Sequence, residues 1–216
     1  MKELRVRRIE AGDLQAAEVP AWLDAKGITF QTVDVANWEA YPYVPEVRFR
    51  MAHDGQRLLL HFAVTEGSVR AVAAEDNGRV WEDACVEFFV QLDESRPEYY
   101  NFECNCAGRL LLAHGVRGSR EQAPAEVLAG VRRWTSLGEA PFGERVGVCS
   151  WQAAEIIPLS AFFKDRVECL GGQTFRANFY KCGDLLPTPH FLSWTKIDLP
   201  EPCFHCPEFF GSIVLE

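Results

Sequence analysis

The sequence lacks a long apolar run, an excess of basic residues and a low-complexity linker, and each absence excludes a class of protein. No apolar stretch approaches the ~18 residues that a membrane-spanning helix requires. Acidic residues outnumber basic residues by 31 to 22, which gives a net charge of −9 and argues against the basic patches that bind nucleic acid or anionic membranes. We therefore expect neither nucleic acid nor a membrane as a partner.

The first residues, MKELRVRRIEAGDL, are basic but are not followed by the apolar core of a signal peptide. The sequence therefore predicts a protein that is either cytoplasmic or secreted after a leader has been removed. No segment is rich enough in Gly or Ser to act as a linker between domains, and no internal repeat is found. We expect a single domain over residues 1–216, in which residues 1–34 form an N-terminal extension.

The eight cysteines do not predict a disulfide framework, because a chain of 216 residues can build a full apolar core without one. Several of them lie inside predicted strands, where a thiol acts as a small hydrophobic group. We expect mostly free, buried cysteines.

Alternation of apolar and polar residues predicts a series of short β-strands. In the segment 57–64, Leu58, Leu60, Phe62 and Val64 fall on one face. The other predicted strands are 47–51, 85–91, 99–106, 108–114, 145–157, 174–181 and 209–215. Helices are predicted at 16–26 and 123–131, and a single turn at 158–163. This pattern is typical of an all-β fold, a single antiparallel β-sandwich with jelly-roll or immunoglobulin-like layers and one or two short helices.

A carboxylate interrupts the apolar strand in WEDACVEFFV, at residues 81–90. Val86, Phe88 and Val90 share one face, so Glu87 points to the other. The predicted strand at 99–106 has one polar face, formed by Asn101, Glu103 and Asn105. The strand at 174–181 adds another, formed by Arg176, Asn178 and Tyr180. If the faces coincide, the sheet suits a ligand with many hydroxyl groups. Solvent-exposed outer faces of a sandwich remain the simpler alternative for any one strand.

Two tryptophans, Trp81 and Trp194, lie beside turn-like segments and outside the strongest apolar alternation. Indole rings stack on the flat C–H faces of sugars, and each ring contributes on the order of 1 kcal/mol by analogy with aromatic pairs. Charged Glu and Arg side chains would fix the orientation of hydroxyls. The remaining tryptophans are assigned to the core or to loop packing: Trp22, Trp38, Trp134 and Trp151.

The order and spacing of several motifs resemble the family 9-like carbohydrate-binding modules within the DOMON-like β-sandwiches. The matching segments run from about residue 35 to the end: Trp81-x-Asp83-x-Cys85-Val86-Glu87-x-Phe89, Tyr100-Asn101-Phe102-Glu103-x-Asn105 with Gly108, Ile157-Pro158, Ala177-Asn178-Phe179-Tyr180-Lys181, Ser193-Trp194, and Phe204-His205-x-Pro207-Glu208-x-Phe210-Gly211.

The resemblance implies a β-sandwich that binds a mono- or oligosaccharide between two tryptophans, Trp81 and Trp194. Glu87 would accept hydrogen bonds from the sugar, Arg109 would donate them, and Asn178 is a looser match. The implied role is non-catalytic, and it would support polysaccharide breakdown beside a glycoside hydrolase partner. Family members that bind calcium use acidic loops, and because no such loop is found in this sequence we expect no cofactor or metal.

Four alternatives stay open. A glycoside hydrolase would use paired carboxylates. Asp83 and Glu87 lie roughly 13 Å apart in an extended strand, which is too far for a retaining pair, whereas Glu87 with Glu103 remains a candidate pair.

A metal site would use Cys203, His205 and Cys206.

A haem site, as in some DOMON-like relatives, would use Met51 with a distant histidine among His61, His114, His190 and His205. A protein-interaction β-sandwich would instead use exposed aromatic side chains as an interface.

Overall fold

The computed structural model describes residues 2–216, so Met1 of the expected domain lies outside the described residues. It consists of strands, four short 3-10 turns and two short helices, α1 (Val19–Ala25) and α2 (Ala125–Gly130). The strands are β1 (Glu3–Val6), β2 (Gln31–Thr32), β3 (Val35–Ala36), β4 (Glu46–His53), β5 (Arg57–Ala71), β6 (Cys85–Gln91), β7 (Tyr99–Asn105), β8 (Leu110–Val116), β9 (Ser119–Gln122), β10 (Arg132–Thr135), β11 (Phe142–Pro158), β12 (Thr174–Cys182), β13 (Phe191–Ser193) and β14 (Gly211–Leu215). Neither helix is long and apolar enough to cross a membrane.

The strands form two sheets, as an all-β sandwich requires, and the predicted fold class is confirmed. The large sheet has the order β1-β14-β12-β6-β7-β8-β9, with β13 paired to β12 and to β3. The small sheet has the order β10-β11-β5-β4-β2. Within residues 2–216, the paired strands of both sheets are antiparallel except β1 and β14, which are parallel.

The inner faces of the two sheets meet in an apolar core. Leu58, Leu60, Phe62 and Val64 are buried there, as their alternation predicts. Phe49 of the small sheet stacks on Phe179 of the large sheet with ring centroids 3.7 Å apart. Each such side chain contributes about 1.5–3 kcal/mol when it is removed from water.

The N-terminal segment covers the outer face of the small sheet. Val19 and Leu23 of α1 are fully buried, and they belong to the same apolar cluster as Leu59 and Ile156 on the outward positions of β5 and β11. Both faces of this sheet are therefore apolar, which explains why residues 58–60 of β5 read as a continuous run of leucines.

The outer face of the large sheet is covered in part by the loop before β14. Phe89 of β6 and Tyr180 of β12 form a second cluster with Phe204 and Phe210 from this loop. Tyr180 and Phe204 stack with ring centroids 4.1 Å apart, so the loop is fixed on the sheet at this point. The rest of the outer face remains open, and the candidate site lies there.

Candidate functional site

The floor of the site is a pair of carboxyl groups on neighbouring strands. Glu87 of β6 and Glu103 of β7 are register partners, and each is only 3% exposed. Oε1 of Glu103 accepts a hydrogen bond from Nδ2 of Asn101 at 2.8 Å, and Oε1 of Glu87 accepts one from the Cys182 thiol at 3.0 Å. The polar faces of two strands, read separately from the sequence, therefore meet on one surface of the large sheet.

Burial shifts the protonation of both groups. Desolvation and the neighbouring Glu103 hold the pKa of Glu87 well above its usual value. Desolvation raises the pKa of Glu103 to about 7, against the opposing effect of Arg120. Near neutral pH, the floor therefore carries both protonated and ionised carboxyl groups, which can donate hydrogen bonds as well as accept them.

A cleft of about 350 Å³ opens above these carboxyl groups, lined by Trp81, Glu87, Glu103, Arg120, Phe204 and His205 among others. A second hollow of about 470 Å³ lies next to it and shares Trp81, Arg120 and His205 with it. Volumes of this size are ordinary for small-molecule sites.

Trp81 forms one wall and is positioned by the backbone around it. It lies in the 3-10 turn Val80–Glu82 just before β6 and is partly exposed. Its carbonyl accepts a hydrogen bond from the backbone N–H of Asp184 at 3.2 Å. Burial and the nearby Glu82 raise the pKa of Asp184, which also lines the cleft, to about 6.

Two arginines reach the cleft from the β8–β9 hairpin, namely Arg117 and Arg120. The hairpin requires glycine at position 115, where φ is +139° and an added Cβ would collide with the backbone of Ser119. No salt bridge of Arg117 or Arg120 is found within residues 2–216, so their guanidinium groups are free of carboxylate partners.

His205 lies on the opposite wall and is held by its neighbours. Its ring stacks on Phe89 at 5.0 Å, and its Nδ1 is within hydrogen-bond distance of the Tyr99 hydroxyl and of Arg120. Burial and the positive charges of Arg120 and Arg117 lower the pKa of His205 to about 3, so the ring is neutral near neutral pH. Among residues 2–216, the donor atoms of Cys203, His205 and Cys206 do not come together at a metal-ligand spacing, so the metal site considered from the sequence is not assembled.

The structure brings together two of the five residues predicted for the site. Trp81 and Glu87 line the cleft. Arg109 lines a separate cavity of about 140 Å³, where its guanidinium donates to the carbonyl of Glu139 at 3.2 Å. The prediction for Arg109 is corrected because the turn after β7 directs its side chain toward β10.

Asn178 and Trp194 have structural positions instead. The Asn178 side chain is fully buried, and its Oδ1 accepts hydrogen bonds from the backbone N–H groups of Phe179 and Thr195. Trp194 is 2% exposed and packs edge-on against Phe179 and Phe49 between the sheets. Since Trp81 lies on the outer side of the large sheet, the two indole rings lie on opposite faces of it, and the predicted two-tryptophan sandwich is corrected.

The haem alternative is not favoured by the positions of its proposed ligands. Met51 is 2% exposed within the apolar core, and protein groups lie within hydrogen-bond distance of both ring nitrogens of His61 and of His190.

Sequence reasoning did not assign Arg117, Arg120, Phe204 or His205 to the cleft, although it considered His205 as a metal ligand. A signal for the arginines is the run HGVRGSR, in which two glycines mark a hairpin that carries both guanidinium groups. No pattern in the sequence indicates that the loop before β14 folds back over β6.

The chain is similar to known carbohydrate-binding proteins along almost its whole length. A family model described as carbohydrate-binding family 9 matches residues 17–215. A crystal structure from Bacteroides uniformis ATCC 8492, of a protein for which carbohydrate binding has been suggested, is 56% identical, covers 100% of this chain and 99% of its own, and has a TM-score of 0.97. No curated protein matches the chain.

Two further structures share the fold at low identity. Both are family 9 carbohydrate-binding modules from Caldicellulosiruptor kristjanssonii, one in complex with glucose and the other with cellotriose. Each is 13% identical to this chain and aligns with 100% of it. The alignment covers 96% of the glucose-bound module, with a TM-score of 0.59. It covers 94% of the cellotriose-bound module, with a TM-score of 0.61.

Proposed function

The chain belongs to carbohydrate-binding family 9, and we propose that it binds a mono- or oligosaccharide in the cleft beside Trp81 without cleaving it. The observation that carries this proposal is that the buried pair Glu87 and Glu103 lines a cleft together with the partly exposed indole ring of Trp81. Hydroxyl-rich ligands need both hydrogen-bonding groups and a flat apolar surface, and this cleft offers both.

In this proposal, Trp81 stacks on the C–H face of the sugar, and the ring of Phe204 closes the opposite apolar side. Glu87 and Glu103 receive hydrogen bonds from adjacent hydroxyls at the floor. Arg117 and Arg120 donate to hydroxyls farther out, where their guanidinium groups have no carboxylate partner. The resulting affinity is modest, with a Kd of ~mM to ~μM, or about −4 to −8 kcal/mol.

The direct test is a glycan array followed by calorimetry with the sugar that it identifies. The Glu103→Gln variant should bind that sugar at least about tenfold more weakly, because hydrogen bonds to charged groups contribute about 1.5–3 kcal/mol. The matched control is Arg109→Ala, which changes a charged side chain outside the cleft. Full binding by Glu103→Gln would place the sugar elsewhere.

A glycoside hydrolase remains the second candidate, because Glu87 and Glu103 are directly opposite on antiparallel strands. Such neighbours have Cβ atoms about 4.5–5.5 Å apart, compatible with the ~5 Å carboxyl separation of a retaining pair. A retaining enzyme, however, needs both carboxyl groups to reach the scissile bond, whereas each glutamate is only 3% exposed. Binding is therefore favoured over catalysis. The enzyme would be favoured if the wild type released reducing sugar and the Glu103→Gln variant did not.

A role in polysaccharide breakdown beside a glycoside hydrolase partner remains a prediction of the family resemblance. We expect a partner enzyme to hydrolyse an insoluble polysaccharide faster when this protein, with Trp81 intact, is added. The same increase with Trp81→Ala would favour the protein-interaction alternative.

A further inference from the structure

The Cys182 thiol lines the cleft and the Cys85 thiol is buried next to it, and sugar recognition leaves both unused. One donor atom from each of Cys85, Glu87 and Cys182 lies within 4.8 Å of the other two. Among the His, Cys, Asp and Glu side chains of residues 2–216, these three form the one group whose donor atoms lie close enough together to hold a metal ion.

The backbone places these donors on one rigid surface. Cys85 and Glu87 are two positions apart on β6, so their side chains share the outer face of the large sheet. Cys182 of β12 is the register partner of Cys85. Three ligands thus come from adjacent positions on two hydrogen-bonded strands, which fixes their relative positions better than loops would.

The cluster is buried, and the positive charge of Arg120 acts on Glu87 without forming an ion pair with it. Cys85, Glu87 and Cys182 are 0%, 3% and 2% exposed, and Glu103 lies beside them on β7. Among the salt bridges of residues 2–216, none involves Glu87 or Glu103. The Cys182 thiol instead donates its proton to Glu87 at 3.0 Å, a contact that a shared metal ion would replace.

The donor set selects the class of ion. Two thiolates and one carboxylate suit zinc and related divalent transition metals, whereas magnesium and calcium prefer oxygen ligands. Zinc binds sulfur at ~2.3 Å in tetrahedral geometry, so its ligand atoms stand about 3.5–4 Å apart. The donors therefore need to close by only about 1 Å, a shift within reach of side-chain rotation.

We propose that Cys85, Glu87 and Cys182 bind a divalent transition metal of the zinc class, with the fourth coordination position open to the cleft. Glu87 and Cys182 both line the cleft, so water or a ligand hydroxyl reaches that position directly. One oxygen of Glu87 faces the metal, and its other oxygen and Glu103 remain for the sugar. This site goes beyond sugar binding and does not depend on it.

The test is a titration of the reduced protein with Co²⁺, followed by displacement with Zn²⁺. We expect a near-ultraviolet thiolate-to-cobalt charge-transfer band that Zn²⁺ removes, with proton release from both thiols. Cys85→Ser and Cys182→Ser should each reduce the band by about half or abolish it, and Glu87→Gln should keep the band but weaken Co²⁺ affinity at least about tenfold.

The controls use cysteines outside the cluster. Cys149→Ser and Cys169→Ser, at a partly buried and an exposed position, should leave the band unchanged. Circular dichroism verifies the fold of each variant, and either Cys85→Ser or Cys182→Ser suffices if the other does not fold. Absence of the band, or a band that survives both substitutions and disappears in Cys203→Ser, would overturn the proposal.

The metal site and the sugar site can fail separately. Sugar binding measured by calorimetry in the presence of a chelator reports on the carbohydrate proposal alone. Sugar binding without a cobalt band would leave the proposed function intact and remove the metal site, and a cobalt band without sugar binding would do the reverse.

Discussion

Arg120 donates a hydrogen bond from Nη1 to Nδ1 of His205, at 2.6 Å. Because arginine has no acceptor and stays protonated, Nδ1 of the histidine must accept, and the proton of the neutral ring is on Nε2. The pair links the β8–β9 hairpin to the loop before β14 across the cleft, and it fixes the tautomer in which Nε2 can donate to a ligand.

Replacing Arg120 by alanine should weaken sugar binding about tenfold, or ~1.4 kcal/mol. The variant loses a charged donor and also the partner that orients His205. Calorimetry with the sugar identified on the array measures the change. Arg109→Ala is the matched control, and an equal loss in both variants would contradict the role given to Arg120.

Replacing Trp81 by alanine should weaken binding by about fivefold to tenfold, because the stacking surface contributes ~1 kcal/mol. The free energy of unfolding should change little, since the ring is partly exposed. Calorimetry and urea unfolding on the same preparation separate the two effects. Unchanged affinity in this variant would remove Trp81 from the site.

Trp194→Ala should behave in the opposite way and lower the free energy of unfolding by about 3–5 kcal/mol. The ring fills the space beside Gly211, where an added Cβ would lie 2.6 Å from it. Urea unfolding is the measurement. A stable variant that has lost only sugar affinity would restore the two-tryptophan sandwich.

The buried Glu155 predicts a pH dependence of stability. Desolvation raises the pKa of Glu155 to about 7, against the opposing charge of Arg133. Because the pKa of the folded state exceeds the unfolded value of ~4.5, the folded state binds the proton more tightly. This contribution to stability is full below pH ~4.5 and is lost as the pH rises through about 7, by roughly 3 kcal/mol.

Urea unfolding of the wild type and of Glu155→Gln between pH 5 and 8 tests this sign, with the pH range set by the two pKa values. The difference between the two proteins should shift in favour of the variant as the pH rises. A constant difference would mean that Glu155 titrates normally in the folded state.

Lys181 neutralises a carboxylate inside the sandwich. Its Nζ lies 2.9 Å from Oε2 of Glu66 and 2.8 Å from Nε2 of His190, and all three side chains are buried. Lys181→Met should cost about 3–5 kcal/mol of unfolding free energy, because Glu66 then carries an unpaired charge. The double variant Lys181→Met/Glu66→Gln should recover part of the loss, whereas additive losses would contradict the charge argument.

Local patterns predicted the strands well because each face of the sheets has a consistent environment. The predicted strand at 85–91 matches β6, and Glu87 was recognised as facing away from the apolar side. The turn at 158–163 contains the observed 3-10 segment Leu159–Ala161. The strands that were missed, such as Gln31–Thr32 and Phe191–Ser193, are too short to show any alternation.

The site could be predicted only where a strand's own alternation defined it. Trp81 and Glu87 share one short segment, and their positions relative to the sheet follow from that segment. Trp194 follows β13, and its position depends on the packing of β12 against the small sheet. Arg120 and His205 meet through a contact 85 residues apart in sequence, which no local pattern records.

A crystal structure of the protein with its array-selected sugar tests the central claim most directly. The sugar should stack on Trp81, with its hydroxyls hydrogen-bonded to Glu87 and Glu103 and with Arg120 within reach of its outer edge. A sugar bound in the cavity beside Arg109, or against the covered face near Trp194, would contradict the account.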